Sequence, residues 1–561
     1  MAVAKQKPMG KALQAFPHSY RWDGLSVATA LVAALVALPI VTLIIVAFSG
    51  NAENLVRLGS TILPRATATT LILLAGLAVL TGFVGALSAW LVTFFEFPGR
   101  RIFSWALVLP LAVPTYISAY AFVEFFGFTG PLQTLVRTLF GFTSARDYWF
   151  PEIRNLGGAV LVLSLVLYPY VYLSVRALFF LQGRRAIEAG EVLGASHSRI
   201  LTKILLPLAR PALALGIILA LMEAINDIGA IEYLGVQTLT FSIFSVWVNQ
   251  NDIAGSAQIA LVLLVLVFGL ILGERFARRG QRYSEVGGGS TTGPFKRYDL
   301  TGAGKWGAFI GCTLPVALGF GVPFFVLGFY AQRYLTRGFD EKLISAIFTS
   351  VGLAGIAALI TVLVALLLSY TVRVKGTKPI NALVRFASIG YAMPGTIIAL
   401  GIFLPLARFD NIVDGYMRDW LGISTGLLIT GSGATLVYAY VVRFMVIAEG
   451  SIDGGFKKIS TSLDMAAYCY GKGRLQTLRE ILLPLMRPAI ATAALLVFID
   501  SLKELSATLM LRPFGIETLA IYVHDLASRG RIEQASVASL IIMLVGVIPV
   551  IVLTRTTLRD H

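Results

Sequence analysis

Two apolar segments of the chain carry charged and amide side chains at matching positions, 277 residues apart. The first segment contains Glu223, Asn226 and Asp227, and the second contains Asp500, Lys503 and Glu504. A charge inside a membrane costs at least about 2.5 kcal/mol, so such groups face protein or water and are candidates for function. The carboxylates favour a pathway for a cationic substrate. Lys503 opposes a cation and favours the alternative, a neutralised packing network with Asp500 and Glu504.

Two prolines interrupt other apolar segments. Pro114 follows Leu109–Val113 and precedes Tyr116 and Tyr120, and Pro394 occupies a similar position 280 residues later. A proline inside a helix removes a hydrogen bond and kinks or interrupts the helix. We therefore predict broken helices at Pro114 and Pro394, beside the same pathway. The alternative is an ordinary packing role, since prolines are common in membrane helices.

The composition indicates what kind of elements position these residues. Of the 561 residues, 57% are hydrophobic and 14% are charged. A soluble domain has about 45–50% apolar and about 25% charged residues, so a soluble enzyme is excluded. At about 20 residues per span, the apolar segments suffice for roughly a dozen crossings.

We predict an all-α polytopic membrane protein with twelve transmembrane helices. The predicted spans are residues 26–48, 66–94, 103–127, 158–181, 211–233, 257–273, 306–330, 344–372, 384–407, 423–448, 488–511 and 535–554. The first span follows a polar segment and lacks a convincing cleavage site, so we interpret it as a retained helix.

Basic residues predict the orientation of these spans. With a cytoplasmic N-terminus, 30 of the 46 Lys and Arg residues lie in cytoplasmic segments and 13 lie outside. The positive-inside rule predicts this bias, and the reversed topology would invert it. We expect both termini to be cytoplasmic. The net charge of +16 then reflects membrane orientation and not binding to nucleic acid.

An internal repeat divides the chain. Residues Ile204–Ala212 recur as Ile481–Ala489, with eight of nine positions identical. Each half contains six spans, so the halves enter the membrane with the same orientation, and a pathway between them follows. We predict an N-terminal segment (1–25), a first domain (26–280), a linker (281–305) and a second domain (306–561). Glycine and serine at 287–294 predict a flexible joint.

The repeated segment also predicts a cytoplasmic elbow in each half. A short amphipathic helix, a glycine and a proline at the start of the next span form a unit that can transmit a push to that span. Helices lying along the lipid headgroups are the alternative. The residues concerned are Glu188, Ala189, Gly190, Gly194, Ile204, Leu206 and Pro207 in the first half, and Ala466, Ala467, Gly471, Ile481, Leu483 and Pro484 in the second.

Both elbows resemble the EAA loop of permeases from binding-protein-dependent type I ABC importers, in spacing, position and duplication. In the second copy Met465 replaces the glutamate, and Asp464 lies one residue early. The fused halves, residues 109–115 and residues 503–515 are most similar to the iron(III) permeases. Fused permeases for thiamine and related solutes are also similar, so the substrate stays open.

The resemblance implies a fold of two parallel six-helix repeats and several partners. Each elbow is expected to dock one of two ATP-binding subunits, which bind ATP and Mg²⁺. A periplasmic binding protein is expected to deliver the solute to this chain in the bacterial inner membrane. The chain itself is expected to hold no cofactor.

Motifs for other chemistry are missing from the sequence. No GxxxxGK[ST] occurs, so we expect ATP to be hydrolysed by another polypeptide. Two cysteines, Cys312 and Cys469, are too few for a disulfide framework or a cysteine-based metal site. The four histidines, at positions 18, 197, 524 and 561, are predicted to be solvated loop residues and not metal ligands.

Two other functional classes compete with a permease subunit. A secondary transporter driven by an ion gradient is disfavoured by the parallel halves and paired elbows. A membrane enzyme is disfavoured because no external loop has a clustered acid, base or nucleophile. We therefore assign no catalytic residue.

Overall fold

The computed structural model describes residues 23–50, 52–180, 187, 190–278, 297–335 and 340–558. The predictions for residues 1–22, for the glycine-serine stretch at 287–294 and for Glu188 and Ala189 lie outside the described residues.

The described chain is almost entirely helical. Eleven helices are long and apolar enough to cross a membrane, and one bent pair brings the number of spans to twelve. We label them α1 (Gly24–Ser49), α2 (Ile62–Phe94), α3 (the bent pair Arg100–Ala112 and Thr115–Phe140), α4 (Leu156–Leu178), α5 (Thr202–Asn226), α6 (Ile253–Arg278), α7 (Ala303–Leu335), α8 (Glu341–Lys375), α9 (Gly395–Leu421), α10 (Ala434–Lys458), α11 (Arg474–Leu502) and α12 (Ile532–Leu558). The prediction of an all-α protein with twelve spans is confirmed.

Short elements connect the spans. The helices are Ala52–Ser60, His197–Ile200, Gly229–Tyr233, Leu239–Val248, Lys378–Ala387, Ser462–Cys469, Ser506–Leu511 and Leu519–Ser528, and two 3₁₀ turns cover Leu109–Ala112 and Ile389–Ala392. π-Helical segments occur at Leu201–Leu205, Ala317–Gly321 and Leu478–Leu482.

Several predicted span boundaries were wrong, because polar residues or prolines end or interrupt the helices at these places. The predicted span 103–127 is longer, covering Arg100–Ala112 and Thr115–Phe140, and it bends by 95° at the break expected at Pro114. The predicted span 384–407 is a short helix, a 3₁₀ turn and then α9. The spans predicted at 211–233 and 488–511 end at Asn226 and Leu502, and α10 begins at Ala434 rather than 423.

Each half has the same three-helix core. In the first half α2, α4 and α5 pack together, and in the second half α8, α10 and α11 do so. Small residues allow the close approach that membrane helices need. A Cβ at Gly85 of α2 would lie 2.6 Å from Val171 Cβ of α4, and a Cβ at Gly216 of α5 would lie 2.6 Å from Val171 Cα.

The outer helices of each half pack against the other half. Helix α1 packs on α6 of its own half and on α9 of the second half, and α12 packs on α7 and on the turn Leu109–Ala112 of the first half. A Cβ at Gly401 of α9 would lie 2.2 Å from the Pro39 carbonyl oxygen of α1. The halves are therefore interlocked rather than merely adjacent.

One two-stranded sheet joins the start of the second half to the first half. Strand β1 (Phe95–Glu96) follows α2, and strand β2 (Tyr298–Asp299) pairs with it in parallel, with Phe95 opposite Tyr298. The Leu300 N–H extends the ladder by donating to the Glu96 carbonyl oxygen at 3.3 Å. This end of the predicted linker is thus attached to the first half.

Candidate functional site

Helices α5 and α11 both end in the interior of the protein. In each case a carboxylate side chain accepts a backbone hydrogen bond at the start of the short helix that follows. Asp227 follows α5, and its Oδ1 accepts the N–H of Ala230 at 2.9 Å. Glu504 follows α11 in the second half, and its Oε1 accepts the N–H of Ala507 at 3.0 Å. Each acid satisfies an amide that a helix start leaves without a partner. The two acids occupy equivalent positions in the repeat.

The breaks at the prolines have a backbone cause. Pro114 and Pro394 are the residues immediately before helix Thr115–Phe126 and helix α9. Val113 and Met393 are extended, as the residue before a proline prefers. The prolines therefore lie at interruptions between helices, as the predicted breaks at Pro114 and Pro394 required.

The broken ends surround one cavity between the two halves. Its volume is about 730 Å³, including its open mouth. Seven of the eight predicted pathway residues line it: Pro114, Tyr116, Glu223, Asp227, Asp500, Lys503 and Glu504. Pro394 does not line it, but the neighbouring Gly395 contacts the cavity residue Asn226. The tertiary structure thus brings together residues that are up to 390 positions apart, from 114 to 504.

An arginine that the predicted pathway set omitted links the two walls. Arg443 of α10 is only 4% exposed, and its Nη1 donates to Asn226 Oδ1 of the first half at 2.5 Å. Its Nε lies 3.2 Å from Glu504 Oε2. The signal was available in the sequence, because an arginine inside a span is a functional candidate by default.

Two further hydrogen bonds, each involving one backbone group, add to this contact between the halves. The N–H of Gly395 donates to Asn226 Oδ1 at 2.7 Å, and the Ser506 hydroxyl donates to the Asn226 carbonyl oxygen at 2.5 Å. A Cβ at Gly395 would lie 2.7 Å from Arg443 Nη1, so glycine is needed for the approach. One buried asparagine of the first half therefore receives three donors from the second half.

The second elbow is held by an ion pair. Helix Ser462–Cys469 contains Ala466 and the buried Ala467, and Asp464 accepts from Arg373 of α8 at 2.6 Å. Arg373 also donates to the Phe456 carbonyl oxygen. Asp464, one residue before the expected glutamate, thus anchors the elbow to α8.

The outer face of the second elbow exposes aromatic and apolar side chains. Tyr470 is 86% exposed, and Leu475, Tyr468 and Met465 are also exposed. Gly471 ends the helix with φ at 75°, a left-handed conformation that favours glycine. Ile481, Leu483 and Pro484 lie within α11, so the elbow continues directly into a span.

The first elbow has a similar shape in its described part. Gly194 has φ at 72°, and Val192 and Leu193 are exposed. A Cβ at Gly190 would lie 3.1 Å from Ile204 Cδ1, which shows how closely the elbow approaches α5. Ile204, Leu206 and Pro207 lie within α5.

Strand β2 contacts this first elbow. The Tyr298 hydroxyl donates to Glu191. Burial, together with the bond to Glu191, raises the pKa of Tyr298 to about 12. The chain that begins the second half therefore contacts the first elbow, whereas the second elbow is held by α8.

Both elbows enter their spans through π-helical segments, Leu201–Leu205 and Leu478–Leu482. Each segment lies just before a proline of the motif, Pro207 or Pro484. A proline supplies no N–H to the carbonyl four residues earlier, and a local change of helix register accommodates the loss.

The predicted loop positions were wrong for both histidines that the structure describes. His197 begins the short helix His197–Ile200. His524 lies on helix Leu519–Ser528 and is 6% exposed, with Nδ1 3.0 Å from the Tyr120 hydroxyl and Nε2 3.6 Å from Glu232. Packing of this short helix against the first half buries a residue that its local sequence places in a loop. Within the described residues, no three His, Cys, Asp or Glu side chains are placed to share a metal ion.

Comparison with known proteins matches both halves to one family. The family described as "Binding-protein-dependent transport system inner membrane component" matches residues 81–279 and 357–558. The chain is 25% identical over 476 residues to the Fe(3+)-transport system permease protein FbpB 2 of Haemophilus influenzae, covering 84% of this chain and 86% of the relative.

Two further relatives are more distant or shorter matches. The ferric transport system permease protein FbpB of Actinobacillus pleuropneumoniae is 23% identical over 474 residues, covering 79% of this chain and 64% of the relative. The sulfate transport system permease protein CysW of Escherichia coli is 30% identical over 200 residues, covering 34% of this chain and 64% of the relative.

Proposed function

Because this chain belongs to the family of inner membrane components of binding-protein-dependent transport systems, we propose that it is the permease that moves ferric iron across the bacterial inner membrane. Both halves of the family repeat are present in the chain. The observation that supports ferric iron as the substrate is the similarity to a ferric permease over 84% of this chain and 86% of the relative.

The cavity between the halves is the proposed pathway. It lies where α5, α11, α3 and α9 are interrupted, and four carboxylates line it beside two cationic side chains. If all six groups are ionised, the acids are in excess, which suits a cationic solute. Non-helical backbone at membrane depth is tolerated where it lines such a cavity.

The two elbows are the proposed docking sites for ATP-binding subunits. Glu188, Ala189, Gly190 and Gly194 form the first site, and Ala466, Ala467 and Gly471 form the second. Both are continuous with a span that ends at the cavity, so a displacement of the elbow moves the cavity wall. One ATP-binding subunit at each elbow gives two copies per chain, with ATP and Mg²⁺ bound there.

The remaining partners and the orientation follow from the family and the charge distribution. A periplasmic binding protein delivers the solute to the face opposite the elbows. Both termini are cytoplasmic, as the excess of basic residues on the elbow side favours.

Reconstitution tests this function. The chain, its ATP-binding subunit and the matching binding protein are placed in proteoliposomes, and uptake of ⁵⁵Fe is measured with ATP on the elbow side. We expect uptake that requires both the iron-loaded binding protein and ATP hydrolysis, and two ATP-binding subunits per chain by native mass spectrometry. Uptake of thiamine but not iron would contradict the substrate and leave the mechanism intact.

A further inference from the structure

The charges around the cavity are only partly duplicated. Each acid has an acidic equivalent in the other half, Glu223 with Asp500 and Asp227 with Glu504. The cations have none, because Arg443 corresponds to Val166 and Lys503 corresponds to Asn226 at the same shift of 277 residues. All of these residues line the cavity. The two walls therefore differ in charge although their backbones are related.

The second half neutralises its own acids. Asp500 lies 2.8 Å from Lys503 Nζ, and Glu504 lies 3.2 Å from Arg443 Nε. In the part of the chain that the structure describes, neither Glu223 nor Asp227 has an ion-pair partner. The two acids of the first-half wall therefore lack the close counter-ion that each acid of the second half has, although Arg443 and Lys503 also act on Glu223 electrostatically.

A tyrosine adds a further oxygen to this wall. Tyr116 lines the cavity and is 3% exposed, and its hydroxyl has no hydrogen-bond partner among the described residues. A Cβ at Gly229 would lie 2.8 Å from Tyr116 Cβ, so the tyrosine packs directly on the turn that follows Asp227. A buried hydroxyl without a partner is costly, and a ligand in the cavity would satisfy it.

We propose that Glu223, Asp227 and Tyr116 form a transit site for a hard, oxygen-binding cation on the first-half wall of the cavity. Carboxylates and water are the ligands that hard cations prefer, and the remaining positions of the cation keep water. Lys503, which is paired with Asp500, disfavours a cation on the opposite wall. The inference rests on the proposed function, because it takes the cavity as the pathway for a cation.

Terbium(III) is a suitable probe for this site. It is a hard trivalent cation that emits when excited through a nearby tyrosine. The full chain, assembled with its ATP-binding subunits in detergent without nucleotide, is titrated with Tb³⁺. We expect a saturable component whose affinity falls on the order of tenfold in Glu223→Gln and in Asp227→Asn, because each variant removes one charged ligand.

Two further variants distinguish binding of Tb³⁺ at these three residues from attraction by the electrostatic field of the whole cavity. The double variant Asp500→Asn/Lys503→Met removes the acid equivalent to Glu223 together with its counter-ion. We expect the saturable Tb³⁺ component to keep its affinity in this variant. Tyr116→Phe removes an oxygen without a change of charge and weakens or dims the component. Unchanged thermal melting of each complex shows that its fold is intact.

Three results would overturn the proposal: equal Tb³⁺ binding in Glu223→Gln and the unaltered complex, equal losses in Glu223→Gln and Asp500→Asn/Lys503→Met, or no effect of Tyr116→Phe. These outcomes are distinct from failure of the proposed function. If the reconstituted complex transports iron and Glu223→Gln binds Tb³⁺ normally, only the transit site is wrong. If the complex transports no cation and the Tb³⁺ component behaves as expected, the ferric substrate is wrong.

Discussion

Arg443 of the second half donates a hydrogen bond to Asn226 of the first half at 2.5 Å, at the cavity that both residues line. The same guanidinium lies 3.2 Å from Glu504. Arg443 thus links the second-half wall of the cavity, where the acids have close counter-ions, to the first-half wall. Any movement that separates the two halves at the cavity has to break this contact or carry Asn226 with it.

Replacing Arg443 should destabilise the chain strongly. Arg443→Met leaves Glu504 as a buried charge without its counter-ion, a loss that typically costs about 3–5 kcal/mol. We expect a clear fall in the melting temperature of the detergent-solubilised chain. Arg443→Met/Glu504→Gln removes both charges and should recover part of the loss. A double variant as unstable as the single one would contradict the ion-pair interpretation.

The glycine at the end of the second elbow should be required for its shape. Gly471 has φ at 75°, and open space surrounds its Cβ position, so Gly471→Ala introduces backbone strain of about 1–2 kcal/mol without a clash. We expect less ATP-binding subunit to co-purify and uptake to fall. Gly471→Asn should be milder, because asparagine tolerates this conformation.

Gly454 provides the matched control for that experiment. It lies within α10 near the same elbow, also with open space at its Cβ position. Gly454→Ala should therefore leave docking unchanged or slightly stabilise the helix. Equal effects of Gly454→Ala and Gly471→Ala on co-purification would argue against a special conformation at Gly471.

An ion pair at the start of α1 should make stability depend on pH. Lys375 of the second half lies 2.7 Å from Asp23 Oδ1, and its hydrogen bond lowers the pKa of Asp23 from 3.8 to about 2. Because the folded pKa is below the unfolded one, the contribution is present above about pH 4 and is lost as the pH falls through about 2.

Asp23→Asn isolates this charge, since asparagine still caps the helix. We expect the variant to melt below the unaltered chain at pH 7, and the difference to shrink between pH 4 and pH 2. Because the Asp23 side chain is 38% exposed, the difference should also shrink at high salt. A difference that is constant down to pH 2 would rule out the carboxylate as its source.

The close packing of α1 against α9 should not tolerate a methyl group added at Gly401. A Cβ at Gly401 would lie 2.2 Å from the Pro39 carbonyl oxygen, a backbone atom that can yield only if the helices separate. Gly401→Ala should cost at least about 1–3 kcal/mol of stability, measured as a lower melting temperature.

Gly415 lies on the same helix with nothing within 4 Å of its Cβ position. Gly415→Ala should leave the melting temperature unchanged or raise it, because alanine is the better helix former by about 1 kcal/mol. If Gly401→Ala melts like Gly415→Ala, the two helices do not pack as closely as the structure indicates.

Local sequence determined much of this protein. Apolar length predicted twelve spans, the repeat of Ile204–Ala212 at Ile481–Ala489 predicted two parallel halves, and glycine and proline spacing predicted both elbows. These features are encoded within single segments, because helix length, proline geometry and a left-handed glycine depend on neighbouring residues. The charges at 223, 227, 500, 503 and 504 were also recognisable as unusual for a membrane helix.

Only the tertiary structure decided how those charges are used. Arg443 was visible as a charge in a span, but its partners Asn226 and Glu504 lie on other segments, and His524 becomes buried by contact with the other half. Asp464 took an anchoring role through Arg373, which is 91 residues away. Whether a carboxylate faces a cavity alone or beside a counter-ion depends on which helices meet, and that is fixed by packing over the whole chain.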